Sequence, residues 1–259
     1  MPDSPRRRRR RASVLLALLA PSALAAGCGG SSGPVTLTVL AASSLTEVFA
    51  EMGVAYHQAN PDVRVRFEFG GSQEMAARLS EHDRGDVLVT ADTASMDEAA
   101  SHLSARRAIV THNLMTIALV SGNPKGIRGL QDLTRPGLRI AVGAATVPVG
   151  RYARQVFARA GVTVRWTSEE ISARAVLDQV RSGESDAGLV YITDLRSAGA
   201  TASSVPIPAA QNVVASYPAA AVKGGDRTRA AEAFVTWLTG ADAQRLFAKY
   251  GFPSPEATR

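Results

Sequence analysis

Strand and helix periodicities alternate along most of this chain, and that alternation narrows the fold to one class. Residues 35–40 alternate as a strand does. Residues 45–58 then place Leu45, Val48, Phe49 and Met52 at helical spacing. Val63, Val65, Phe67 and Phe69 alternate with Arg64, Arg66 and Glu68, which predicts a strand with one solvated face. Residues 75–79 read as helix, 87–89 as a short buried strand and 95–103 as helix. Further strands are predicted at 115–120, 138–142, 188–191 and 217–222, and further helices at 149–160, 172–181, 227–238 and 241–250. Elements in this order make an α/β protein with mostly parallel sheets. Ligands of such sheets bind beyond the carboxyl ends of the strands, where helices begin.

The N-terminus speaks to compartment. Arg6 to Arg11 precede an apolar run at residues 14–20, then the small residues Ala25-Ala26-Gly27, then Cys28. A basic segment, a short apolar segment and small residues before a cut site describe a secretory signal over residues 1–27. The apolar run is shorter than the roughly 20 residues that span a bilayer. Cys28 is the only cysteine, so no disulfide framework exists. Placed after Ala-Ala-Gly, it resembles the lipidated cysteine of a bacterial lipoprotein box, with Ala25 where such boxes usually carry leucine and Leu24 one residue earlier. Residues 28–34 then form a Gly/Ser-rich tether. Adjacent arginines also allow twin-arginine export, although no clean motif surrounds them.

The basic run could instead mark a nucleic-acid patch, but the charge balance opposes this. The chain has 29 Lys+Arg and 23 Asp+Glu; without residues 1–27, which hold six arginines and Asp3, 23 stand against 22, a net charge of +1. The mature chain therefore has no basic field to attract nucleic acid.

Enzyme motifs are absent from the sequence. His57, His82, His102 and His112 have no zinc-motif spacing, and no Gly-x-Ser-x-Gly elbow, GxGxxG or P-loop occurs. Four strand-to-helix junctions carry serine or glycine instead: Ala41-Ala42-Ser43-Ser44, Phe69-Gly70-Gly71-Ser72, Val147-Pro148-Val149-Gly150 and Glu169-Glu170-Ile171-Ser172. Ser44-Leu45-Thr46-Glu47 also fits a capping box, which would make Ser44 only a helix cap. A helix N-terminus is equally an anion site, because its N–H groups are unpaired and its dipole end is positive.

Six segments carry a resemblance, in this order: Leu40-Ala-Ala-Ser-Ser-Leu-Thr46, Phe69-Gly-Gly-Ser72, Gly85-Asp-Val-Leu-Val-Thr-Ala-Asp92, Val147-Pro-Val-Gly-Arg-Tyr152, Gly188-Leu-Val-Tyr191 and Phe247-Ala-Lys-Tyr-Gly-Phe252. Together they resemble the periplasmic molybdate-binding proteins, the solute receptors of ABC transporters, over nearly the whole mature chain. The resemblance implies the two-domain flytrap fold of type II periplasmic binding proteins, with a mixed, mostly parallel sheet in each domain. Domain 1 would be residues 35–113 with 214–259, and domain 2 residues 114–213. It implies an oxyanion, molybdate or tungstate, held by the hydroxyls of Ser44, Ser72 and Tyr191 and by backbone N–H groups at Val149 and Ala173. Molybdenum would be bound only as that oxyanion, with no cofactor. The partner would be a membrane permease, and the protein an extracytoplasmic monomer attached to the cell membrane only through its lipid.

The physical chemistry agrees with that ligand set. A tetrahedral dianion has only acceptors, so its site needs only donors, and tyrosine keeps its proton at neutral pH because its pKa is about 10. Other ligands remain open at this stage. Sugar receptors stack rings on aromatics, and aromatics make up only 5% here; sulfate and phosphate stay as alternatives, and an enzyme on the same fold is a further one.

Overall fold

The structure is a computed structural model and describes residues 34–81 and 85–255. The predicted signal at residues 1–27, Cys28 and residues 29–33 of the tether lie outside the described residues. The elements run β1 (Val35–Ala42), α1 (Thr46–Ala59), β2 (Val63–Gly70), α2 (Ser72–Ser80), β3 (Val87–Val89), α3 (Thr93–Glu98), β4 (Leu103–Val120), β5 (Ile140–Gly143), α4 (Pro148–Ala160) and β6 (Ser168–Glu170). They continue with α5 (Ala173–Arg181), β7 (Ala187–Tyr191), α6 (Ile192–Ala198), β8 (Ala202–Pro206), β9 (Val214–Val222), α7 (Thr228–Leu238) and α8 (Ala241–Lys249).

The strands follow one hydrogen-bonded path, β2-β1-β3-β9-β4-β7-β5-β6, with β8 also on β4. The fold is thus α/β on a mixed sheet. Parallel ladders join β1 to β2 and β3 in the first half, and β5 to β6 and β7 in the second. Antiparallel pairing enters through β9 and β4. β4 pairs with β9 as far as Leu114 and with β7 from Met115, so one strand runs through both halves.

Helices α1, α4 and α5 each lay an apolar stripe on the sheet. Val48, Phe49, Met52 and Tyr56 of α1 are buried, as are Ala153, Val156 and Phe157 of α4 and Val176, Leu177 and Val180 of α5. This is the spacing of a helix with one core-facing side. Phe49 meets Phe67 of β2 at 5.2 Å, and Tyr56 meets Phe234 of α7 edge-on at 4.9 Å. Such pairs contribute about 0.5–1.5 kcal/mol each beyond the area they bury.

Periodicity misjudges one stretch and passes over α6, β6 and β8. The helix predicted over 95–103 ends at Glu98, and β4 begins at Leu103, twelve residues before the strand predicted at 115–120. Register shifts between Leu103 and Arg107 and between Ile109 and Thr111 break its alternation. A bulged strand that carries Arg106, Arg107 and His112 has no clean period of two. The three-residue β6 is Ser-Glu-Glu and is equally silent in the sequence.

Candidate functional site

Six strands end at one cleft. Its walls are Ala42, Ser43 and Ser44 after β1, Gly70, Gly71 and Ser72 after β2, Ala91 after β3, Val147, Pro148 and Val149 after β5, Ser172 and Ala173 after β6, and Tyr191 at the end of β7. All five residues picked from the sequence as ligands, Ser44, Ser72, Val149, Ala173 and Tyr191, lie on this one surface. The cleft encloses about 230 Å³, its open mouth included. The space is narrow and suits a ligand of a few atoms.

The polarity of the walls is one-sided. No Asp, Glu, Lys, Arg or His is among the lining residues. Val149 and Ala173 sit in the first turns of α4 and α5, where a helix supplies no acceptor for its N–H groups. The first turn of α2 faces the same space through Ser72, and each N-terminus adds a positive dipole end. Ser172 caps α5 by accepting the Ala175 N–H at 3.2 Å, which leaves the Ala173 N–H unclaimed by that cap.

The hydroxyls are set differently from the capping-box expectation. Leu45, not Ser44, is the N-cap of α1, no side chain caps that helix, and Ser44 lies in a 3-10 turn before it. Glu47, the far end of the supposed box, pairs with Arg174 instead. Ser44 Oγ stands 2.9 Å from the Tyr217 hydroxyl. Ser72 Oγ accepts the Ala91 N–H at 2.9 Å, so the Ser72 proton is free for the cleft. Tyr191 is 1% exposed, and its hydroxyl has no hydrogen-bond partner among the described residues. Burial pushes the Tyr191 phenol well above its ordinary value, with the neighbouring Tyr217 and Tyr152 adding to the shift, so it holds its proton. A buried hydroxyl without an acceptor loses roughly 1–3 kcal/mol, and a ligand oxygen in the cleft would recover it.

Charged residues stand outside the walls and tie the halves together. Arg151 of α4 pairs with Asp92 at 2.7 Å and donates to Ser95 Oγ at 2.8 Å. Arg174 of α5 pairs with Glu47 of α1. Gln73 donates to the Ile171 carbonyl at 3.2 Å. Asp92 is thus occupied by Arg151 and, as N-cap of α3, by the Ser95 N–H at 2.9 Å; it does not line the cleft. Gly71 permits this approach, since a Cβ there would stand 2.5 Å from the Ile171 oxygen. Sequence reasoning missed the pairs that Arg151, Arg174 and Gln73 make because their partners lie 56 residues apart or more.

The profile of the bacterial extracellular solute-binding proteins matches residues 37–253. The chain belongs to this family. The solute-binding protein is 36% identical over 243 residues to the molybdate-binding protein ModA of Mycobacterium tuberculosis, a match that covers 93% of each chain. Among solved structures, it superposes on the periplasmic molybdate-binding protein of Azotobacter vinelandii with a TM-score of 0.74 and 19% identity, over 85% of this chain and 99% of that one. The sulfate-binding protein SubI of Mycobacterium tuberculosis gives a TM-score of 0.78 and 19% identity, over 86% and 88% of the chains. These structural likenesses establish the shared fold. The family is one of extracytoplasmic binding proteins, so this member is a receptor rather than an enzyme. No helix among the described residues is long and apolar enough to cross a membrane.

Proposed function

We propose that this solute-binding protein captures molybdate or tungstate in the cleft and delivers it to the membrane permease of an ABC transporter. The observation that carries the reading is the Tyr191 hydroxyl, buried without an acceptor in a cleft lined by donors and free of charged side chains. A fully deprotonated tetrahedral dianion supplies only acceptors. Ser44, Ser72, Tyr191 and the N–H groups of Val149 and Ala173 supply only what it needs. The 36% identity to a molybdate-binding relative supports the choice of anion. No cofactor is required, and molybdenum enters only inside its oxyanion.

The halves at residues 35–113 with 214–259 and 114–213 act in this reading as two domains of a monomer that close on the anion. The switch of β4 from β9 to β7 between Leu114 and Met115 supports that division. Cys28 would hold the protein at the membrane through a lipid after removal of residues 1–27, so Cys28→Ser is expected to move it from the membrane to the soluble fraction. Full retention in the membrane would refute the anchor.

Hydrogen bonds to charged groups contribute roughly 1.5–3 kcal/mol. Ser44→Ala, Ser72→Ala and Tyr191→Phe are therefore each expected to weaken molybdate binding about ten- to a hundredfold by calorimetric titration. Tyr191→Phe carries a second signature. It removes an unpaired buried hydroxyl, so the ligand-free protein is expected to melt no lower than the parent. Unchanged molybdate affinity in all three variants would sink the assignment of these hydroxyls.

A further inference from the structure

A serine hydroxyl can donate or accept, and serine alone does not decide which. At Ser44 the surroundings decide. The sequence of bonds starts at the Leu114 N–H, which can only donate, and does so to Asn113 Oδ1 at 2.9 Å. That bond fixes the amide. Asn113 Nδ2 therefore faces the Thr193 hydroxyl at 2.8 Å and the Tyr217 hydroxyl at 3.3 Å. An amide N–H only donates, so the Tyr217 oxygen accepts. The Tyr217 proton is left with one acceptor among the described residues, Ser44 Oγ at 2.9 Å. Ser44 accepts it, which leaves the Ser44 proton free to donate into the cleft that Ser44 lines. Asn113 and Tyr217 are both 0% exposed, so water does not compete for these bonds.

We propose that Asn113 and Tyr217 are positioning residues that fix the Ser44 hydroxyl as a donor into the cleft, so that this contact favours an unprotonated anion oxygen over one that bears a proton. This inference rests on the oxyanion reading of the cleft and explains how the cleft disfavours protonated anions. Burial holds the Tyr217 phenol well above its ordinary pKa, and the nearby Asp194 raises it further, so the relay keeps its proton across the working pH range. Ser72 reaches the same state in one step through the Ala91 N–H. The Ser44 relay differs in that it draws on both halves: Thr193 lies in α6, Tyr217 in β9, and Asn113 in β4 beside the point where its partner changes.

The test is a double-mutant cycle read by calorimetric titration with molybdate. Tyr217→Phe keeps the ring and removes only the hydroxyl. It is expected to weaken molybdate binding about five- to thirtyfold when Ser44 is intact, and less than about twofold in a Ser44→Ala background. A second variant guards against misfolding of the first. Asn113→Asp keeps its shape and the Leu114 bond but accepts the Tyr217 proton, which reverses the relay and turns the Ser44 proton away from the cleft. Its loss of affinity is expected to be larger with Ser44 present than with Ser44→Ala. A merely structural role predicts lower melting temperatures with equal affinity losses, or none, in both backgrounds, and that result overturns the proposal. Failure of the unmutated protein to bind molybdate would overturn the oxyanion reading and the relay together; tight binding that is indifferent to Tyr217→Phe would overturn the relay alone.

Discussion

Gly150→Ala is expected to disrupt the cleft more than any other single methyl group. A Cβ at Gly150 would stand 2.0 Å from the Ala144 oxygen, 2.2 Å from the Gly143 oxygen and 2.5 Å from the Gly143 carbonyl carbon. All three are backbone atoms at the end of β5 and in the turn that follows it, so no side chain can swing aside. The first turn of α4 would have to retreat by more than about 1 Å to reach ordinary contact, and it carries the Val149 N–H with it. Overpacking of this kind costs typically about 1–3 kcal/mol of stability, sometimes more. Moving a donor out of hydrogen-bond range costs the anion at least about tenfold in affinity. Gly129→Ala is the control, since Gly129 has extended backbone and nothing within 4 Å of an added Cβ. That change is expected to alter stability by less than about 0.5 kcal/mol. Melting temperature and molybdate affinity measured on both variants decide the matter, and equal behaviour of the two would contradict this account of the α4 turn.

Asp194 gives the largest expected pH effect. Its carboxyl is buried, and burial pushes its pKa up to about 7 against the Tyr191 N–H and the Arg174 guanidinium, which lower it, while Glu47 raises it. A carboxylate with a raised pKa in the folded state binds its proton more tightly folded than unfolded. Its contribution to stability is therefore complete below about pH 4 and is lost as the pH climbs towards 7. The gap between about 7 and the ordinary 3.8 corresponds to about 4 kcal/mol. Asparagine can accept the same Tyr191 N–H, which reaches Asp194 Oδ2 at 3.0 Å, without ever charging. Asp194→Asn is thus expected to match the parent at pH 4 and to exceed it by several kcal/mol at pH 8 in denaturant unfolding. A variant less stable than the parent at pH 8 would mean that the charged carboxylate is a net stabiliser there.

The sequence made the position of the cleft legible more readily than its wiring. Ser44, Ser72 and Val149 lie in strand-to-helix junctions or the first turns of their helices, where local periodicity and the rule that ligands meet the carboxyl ends of parallel strands point, whereas Ala173 and Tyr191 came from the resemblance. The Ser-x-x-Glu pattern at residues 44–47 misled for the same local reason, because it is blind to Tyr217, 173 residues away, and to Arg174, which takes Glu47. β4 was invisible along two thirds of its length, because its bulges and its change of partner erase the alternation that marks a strand. Asn113 and Tyr217 give no local signal at all. An asparagine at the end of Thr-His-Asn and a tyrosine before a proline acquire meaning only when the chain brings them together.

Titration of the protein with molybdate and phosphate under one set of conditions tests the central claim most directly. Near neutral pH phosphate carries at least one proton, which needs an acceptor. No carboxylate lines the cleft, and the Ser72 oxygen already accepts the Ala91 N–H. The buried phosphate proton would meet no carboxylate and is expected to be poorly satisfied, at roughly 1–3 kcal/mol, while its other oxygens sit in a site shaped for a different tetrahedron. Sulfate has no proton to place but is a smaller tetrahedron that leaves donors out of reach. The expected result is tight, similar binding of molybdate and tungstate, much weaker binding of sulfate, and no detectable binding of phosphate at pH 7 or pH 8. Phosphate binding as tight as that of molybdate would contradict the donor-only cleft.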